Sequence, residues 1–344
     1  MDKDIVKEPV NDDSSVSEKT EESVVNPEVK EQVREEPRKE RQSIKKTLYN
    51  IYDKDYKKLL IIPLALFLIA IIIIISQVAT TGDFIYKDVS LKGGVTITIP
   101  VESEIDISII EQSISMDYSS NDIDVRSLGQ GGTQTAVVIT ADIEGANNEE
   151  FDAFMQSIDK AFGRELLDDE YSVEIVGSSL GSSFFREVII ALFIAFILMG
   201  LVVIIYFRVM APALAIIFAA LSDIIVTLAI VDVIGLKLNT AGIAAFLMLI
   251  GYSVDTDILL STKVLKRKEG SILDNIFIAM RTGVMMSLTT IVAVSVALIF
   301  TQSEVIKQIM IILLIGLLVD IINTWLGNTG ILRWYLERKA RKDG

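Results

Sequence analysis

Four aspartates sit inside long apolar runs: Asp223, Asp255, Asp257 and Asp320. A charged side chain near mid-bilayer costs about 2.5–3.5 kcal/mol on insertion scales, so such residues are candidates for function by default. The chain has no histidine and no cysteine. The commonest general base, the commonest metal ligand, thiolate chemistry and disulfides are therefore absent, and any proton carrier within the apolar runs is a carboxylate. Arg281 stands at the start of another apolar run and keeps its charge at any physiological pH. Its long stem lets it reach inward to pair with Asp255 or Asp320. Ser287, Thr289 and Thr290 follow on the same run. Together these residues suit reversible ion or proton uptake that changes how helices pair, the two-state element alternating access requires.

Depth along the helices supports this reading. Asp223 lies about eleven residues from the cytoplasmic start of its run, or roughly 16 Å. Asp255 lies about eight residues from Lys263, or roughly 12 Å. Asp320 falls at a similar level, so the third to sixth runs can share one polar layer. Asp257 is two positions from Asp255, and the two side chains diverge by about 200°. Asp255 is read as the inward member, and Asp257 as a supporting or interfacial one. Gly242 and Gly251 are read as close-packing positions between helices.

The elements that carry these residues are six apolar spans, near 59–78, 188–207, 211–231, 240–260, 282–300 and 309–326, each close to the thickness of a hydrocarbon core. Lys57 and Lys58 precede the first, Arg208 separates the second from the third, Lys263 to Lys268 and Arg281 lie between the fourth and fifth, and Arg333 to Lys342 follow the sixth. The opposite loops hold Lys237 and Lys307. This bias predicts both termini in the cytoplasm of a multi-pass protein of the cell membrane. Residues 1–50, rich in Glu, Lys and Ser with scattered Pro, read as a disordered tail rather than a signal peptide. Residues 327–344 read as a basic cytoplasmic tail.

The acidic segment 80–183 is then expected outside. Strands are predicted at Val95–Pro100, Ile123–Leu128, Ala136–Ala141 and Tyr171–Val176. Helices are predicted at Ile107–Met116, capped by Asp106, and at Asn148–Phe162. A Gln130-Gly131-Gly132 turn joins the middle strands. The expected fold is thus a polytopic α-helical membrane protein with six transmembrane helices and one extracytoplasmic α+β ferredoxin-like (βαββαβ) domain between helices 1 and 2. A net charge of -14 speaks against nucleic acid as a partner. No GxxxxGK[ST] loop is present, which speaks against ATP hydrolysis. Neither a cofactor nor an enzymatic reaction is expected.

Several segments carry a family resemblance. IGYSVDTDILL (Ile250–Leu260) resembles the IGYS and GxxVD segments of the SecD/SecF protein-export family, within the resistance-nodulation-division superfamily. ALSDIIVTL (Ala220–Leu228) is similar to that family's ALxHD…T stretch, with Ser222 where bacterial members usually carry His. Met280-Arg281-Thr282 and SLTT (Ser287–Thr290) resemble its SRT…TSxTT segment. Lys92-Gly93-Gly94 and VGSSLG (Val176–Gly181) resemble its GG pair and its VGPxxG linker. The VDTD reading is closer to archaeal members. The resemblance covers about residues 55–330. It implies pairing with SecD beside the Sec translocon channel, contact of the outer domain with the translocating unfolded chain, membrane lipid around the helices, and export aided by the proton gradient. The placement of polar residues within the apolar runs makes Asp255, Arg281, Asp223 and Asp320 the candidates for ion coupling, with Asp257, Ser287 and Thr290 in support. A structural subunit that carries no ion, and an exporter of lipids or small molecules, are the alternatives.

Overall fold

The computed structural model describes Tyr52 and residues 56–117, 123–130, 133–143, 148–266, 271–301 and 303–343. The predicted tail 1–50, the Gly131-Gly132 turn, Arg267 and Lys268 lie outside the described residues. The elements run α1 (Tyr56–Leu59), α2 (Ile61–Thr81), α3 (Val89–Lys92), β1 (Gly94–Pro100), α4 (Ile107–Asp117), β2 (Ile123–Gln130), β3 (Thr133–Ala141), α5 (Asn148–Phe162) and β4 (Ser172–Val176). There follow α6 (Ser178–Phe207), α7 (Met210–Val233), α8 (Thr240–Lys266), α9 (Ile272–Phe300), α10 (Glu304–Ile322), a π-helical segment (Asn323–Asn328) and α11 (Thr329–Asp343).

Among the described residues six helices are long and apolar enough to cross a membrane, as the hydropathy predicts. Hydrocarbon offers no hydrogen bonds, so each run closes its backbone ladder internally. Several helices outrun their apolar stretch. α6 starts at Ser178, about ten residues early, because a polar segment extends it. α9 starts at Ile272, where a capping box replaces the missing intrahelical partners: the Ser271 hydroxyl accepts from the Asp274 N–H and the Asp274 carboxylate accepts from the Ser271 N–H. The last apolar run continues through the π segment, so one helical unit reaches from Val305 to Arg341.

The segment between α2 and α6 folds as β-α-β-β-α-β around an antiparallel sheet of order β2-β3-β1-β4. Asp106 caps α4 as expected, accepting from Ser108 N–H at 2.9 Å. Alternate residues of β1 (Val95, Ile97, Ile99) and β3 (Val137, Ile139, Ala141) face one side of the sheet. There they bury Ile110 and Ile114 of α4 and Phe154 and Ile158 of α5. Phe154 is fully buried, so Phe154→Ala is expected to cost about 3–5 kcal/mol. The check is hydrogen exchange across β1 and β3 in the full chain; unchanged protection would contradict this assignment of the core.

The other face of the sheet is polar. Thr96, Thr140, Glu174, Arg126 and Asp88 line a cavity of about 300 Å³ whose floor is the ends of α8 and α10, with Asn239, Lys307 and Gln308. Backbone bonds tie this layer to the helices: Leu238 N–H donates to Tyr86 O at 2.7 Å and Asp88 N–H to Leu238 O at 2.9 Å. Gln308 Nε2 donates to Lys237 O at 2.6 Å. Burial pushes the Asp88 carboxyl up from its usual range, and the Arg126 guanidinium at 3.6 Å pulls it part of the way back. Gly93 and Gly94 are more than turn residues. A Cβ on Gly93 would sit 2.6 Å from Ser178 N, and one on Gly181 would sit 2.7 Å from Gly93 N. The start of α6 thus packs backbone to backbone on the entry to β1, which only glycine permits.

Candidate functional site

α7 and α8 are the most enclosed of the apolar helices, with small residues, Ala213, Ala215, Ala219, Ala220 and Ala245, at their contacts. Close approach of this kind is how helices associate in lipid. Gly316 of α10 lies against Leu249, where a Cβ would fall 2.5 Å from the leucine methyls. Gly242 approaches Gln308 and Leu238, as expected, whereas Gly251 has open space around its α-carbon. Within this packing lies a polar cluster. Asp223 on α7, Asp257 on α8 and Asp320 on α10 are each fully buried.

Neutral donors connect the three. Ser253 Oγ donates to Asp223 Oδ2. Asn323 Nδ2 donates to Asp223 Oδ1 at 2.6 Å and to Ser222 Oγ at 3.0 Å. Thr324 Oγ1 lies 2.9 Å from Asp257 Oδ1 and 3.1 Å from Asp320 Oδ1, so its single proton serves one carboxylate at a time. Asn328 Nδ2 donates to Asp257 Oδ1 at 2.7 Å. Asp223 also faces Asp320. Among the described residues no lysine or arginine is buried. Asp257 Oδ2, Asn323 Oδ1 and Asn328 Oδ1 are buried without a hydrogen-bond partner.

The π segment makes the cluster possible. Its wider turn places Asn323, Thr324 and Asn328 on the side facing α7 and α8, and such bulges concentrate at functional sites. Side chains bond its carbonyls as well: Tyr52 Oη donates to Trp325 O at 2.9 Å, and Thr329 Oγ1 to Thr324 O at 3.1 Å, beside the Thr329 N–H that closes the wider turn on the same carbonyl. On its other side the Trp325 ring lies over Gly283 of α9.

The predicted residues divide. Asp223 and Asp320 come together as expected. Asp257, read as interfacial, is inside the cluster, and Asp255, read as inward, is on an exposed face. The reason is helical rotation. Ser253, Asp257 and Ser261 recur every fourth residue on the buried stripe, while Met248, Tyr252 and Asp255 form the stripe opposite. Arg281 is also exposed; it reaches neither Asp255 nor Asp320 and makes no ion pair among the described residues. It lines an open groove with Thr282, Met285, Met286 and Thr289. Ser287 is buried on α9 and forms no hydrogen bond with the carboxylates. Thr290 turns back to Met286 O at 3.1 Å. Sequence reasoning missed Ser253, Asn323, Thr324 and Asn328. Asp320, Thr324 and Asn328, spaced at i, i+4 and i+8 in an apolar run, carried the signal, but a span ending at 326 excluded Asn328.

Six apolar helices, a small antiparallel sheet with its helices after the first, and buried carboxylates on the third, fourth and sixth describe a polytopic helical membrane protein. The family model described as protein export membrane protein SecD/SecF, C-terminal, matches residues 158–338. The chain is 35% identical over 302 residues to the protein-export membrane protein SecF of Pyrococcus furiosus, covering 87% of this chain and 98% of that one. It is 39% identical over 296 residues to the SecF of Methanocaldococcus jannaschii, covering 84% and 99%. A crystal structure of SecDF, a translocon-associated membrane protein from Thermus thermophilus, superposes with a TM-score of 0.63 at 18% identity. That match covers 83% of this chain and 38% of the SecDF chain, so the fold corresponds to well under half of the larger protein. The chain is a multi-pass membrane protein and belongs to the SecD/SecF protein-export family.

Proposed function

We propose that the chain is the SecF-type subunit of a protein-export complex, working with a SecD-type partner beside the Sec channel and coupling export to an ion gradient. The observation that carries this reading is the cluster of three buried carboxylates whose hydrogen-bond donors among the described residues are all neutral. Three negative charges with no buried cation are too costly in hydrocarbon to persist together, so the cluster holds at least one proton or cation. Thr324, shared by Asp257 and Asp320, is the natural switch: whichever carboxylate is ionised takes its hydrogen bond. Export proteins of known name among the relatives support the assignment to this pathway. No cofactor enters the reading.

The lysine and arginine bias supports both termini in the cytoplasm and the sheet domain outside. Its antiparallel order β2-β3-β1-β4 supports a ferredoxin-like domain. Asp255 and Arg281 act, in this reading, at the face of α8 and α9 that meets the SecD-type partner. A bare charge toward lipid at this depth costs about 2.5–3.5 kcal/mol, which a partner carrying compensating polar groups offsets. Asp255→Asn and Arg281→Gln are therefore expected to leave the chain's own packing intact and to lower gradient-dependent export about tenfold, or about 1.4 kcal/mol in the barrier. The measurement is export into vesicles with the gradient present or collapsed. Unchanged export by both variants, with the partner still co-purifying, would favour a structural subunit that carries no ion.

A further inference from the structure

The two amides that hold the carboxylates each have a second edge. Asn323 spends its N–H groups on Asp223 and Ser222, and Asn328 turns its own to Asp257. An ionised carboxylate only accepts, so the nitrogen edge of each amide faces the cluster and the oxygen edge is turned away from it. Asn323 Oδ1 and Asn328 Oδ1 are buried there without a hydrogen-bond partner, in side chains only 2% and 1% exposed. A buried acceptor left unmatched costs free energy, so each is a place for a donor. Both residues, together with Ser222, line a cavity of about 220 Å³ between α2, α7 and the π segment.

Apart from these three, the side chains of the lining are apolar: Leu60, Pro63 and Leu64 of α2, Phe218 and Ala219 of α7, and Ile331 of α11. The rings of Phe67 and Phe218, with centroids 5.2 Å apart, join α2 to α7 on one side. On the other, α2 comes so near the start of α11 that a Cβ on Gly330 would sit 2.7 Å from Leu60 Cγ. Leu64 and Phe218 are half-exposed on two helices long and apolar enough to cross a membrane. They form a rim that a molecule dissolved in the bilayer can reach.

Three properties fix the chemistry of the occupant. The polar end of the cavity offers acceptors: the two amide oxygens and Ser222 Oγ, which already accepts from Asn323. Their number matches the three N–H groups of a primary ammonium. The sign of the surroundings is negative, because three carboxylates stand behind the amides and no lysine or arginine is buried among the described residues. Each amide that accepts from the ammonium donates more strongly to the carboxylate behind it, since linked hydrogen bonds polarise one another. The remaining walls are hydrocarbon, and size sets the limit. An apolar cavity of about 150 Å³ takes benzene, so this one takes a compact ring system of about ten non-hydrogen atoms. We infer that the cavity between α2, α7 and the π segment is a binding site for a small apolar primary amine, its ammonium on Asn323 Oδ1, Asn328 Oδ1 and Ser222 and its hydrocarbon body between Leu60, Pro63 and Phe218. The site adjoins the carboxylate cluster without being part of it, and the inference stands whether or not the cluster couples to a gradient.

The probe is 5-fluoro-2-aminoindane, a rigid primary amine of the right size, followed by fluorine NMR with the full chain in lipid nanodiscs. Empty nanodiscs report its partition into lipid. A saturable bound signal is expected, with a Kd of about 1 mM or tighter for a ligand this small. The alcohol 5-fluoro-2-indanol, with one donor, is expected to bind about tenfold more weakly, and 5-fluoroindane, with none, not to displace the amine. Ala219→Leu and Ile331→Phe each put bulk into the cavity and are expected to weaken amine binding at least about tenfold, with the thermal midpoint checked for each. A signal that only grows linearly, as in empty nanodiscs, would overturn the proposal. So would equal binding of amine and fluoroindane, which needs no variant to fold, or full affinity in a filled variant that keeps its thermal midpoint. Export is not the readout, so failure here leaves the coupling reading of the carboxylates where it stood, and loss of that reading leaves the amine site intact.

Discussion

Asp257→Asn is expected to abolish most gradient-dependent export, by at least about thirtyfold or 2 kcal/mol, while leaving the helices assembled. The substitution is close to isosteric. Thr324 and Asn328 both donate to Asp257 Oδ1, and an asparagine keeps that acceptor. What it loses is the ability to take up and release a proton, and with it the competition with Asp320 for the Thr324 hydrogen bond. Asp223→Asn is a harder test of the same idea, because both carboxylate oxygens accept. There Ser253 must reverse its hydroxyl to accept from the new amide, which a rotor allows. The assay is the export rate into vesicles with and without an imposed gradient. If Asp257→Asn keeps its full response to the gradient, the cluster is structural and the coupling reading fails.

The arrangement behind this result was only half legible in the sequence. Element order followed from periodicity, since apolar runs of bilayer length and the alternation of VTITIP are strong local signals. The residue types of the cluster were legible too: an aspartate in an apolar run stands out whatever surrounds it. Rotation was not. Helix rise places Asp255 and Asp257 at nearly one depth, and choosing between them requires knowing which side of α8 is covered. The stripe through Ser253, Asp257 and Ser261 contains that information, but as small polar residues on the enclosed face, the reverse of a soluble helix, where polar residues face out. The π segment was the other blind spot. Hydropathy cannot distinguish five-residue from four-residue hydrogen bonding, and NTWLGN has no proline or charge to mark a break. The turn exists because Asn323, Thr324 and Asn328 find partners on α7 and α8, and those contacts are wholly tertiary.

That dependence makes the packing behind the π segment as consequential as the carboxylates themselves. A Cβ on Gly283 would run into Trp325 Cζ2 and lie 2.8 Å from Cη2, with Thr256 Cγ2 at 3.4 Å on the third side. Trp325 has little room to retreat: it is 3% exposed, and its carbonyl accepts from Tyr52. Displacing it pulls on Thr324, its neighbour in the chain and the shared donor of Asp257 and Asp320. Gly283→Val is therefore expected to abolish export about as completely as loss of a carboxylate, by steric pressure and with no change of charge; overpacking of this kind costs about 1–3 kcal/mol or more. Gly283→Ala should show a weaker form of the same defect. Trp325→Leu alone leaves a cavity and is expected to impair the protein, but combined with Gly283→Ala it makes room for the new methyl. The pair should then be better than the sum of its parts, with a coupling energy of about 0.5–3 kcal/mol. Export rate and the thermal midpoint of the solubilised chain would be compared across the four-member cycle. Strict additivity would show that the ring does not transmit the substitution, and that the donor positions in the π segment are held by α7 and α8 without help from α9.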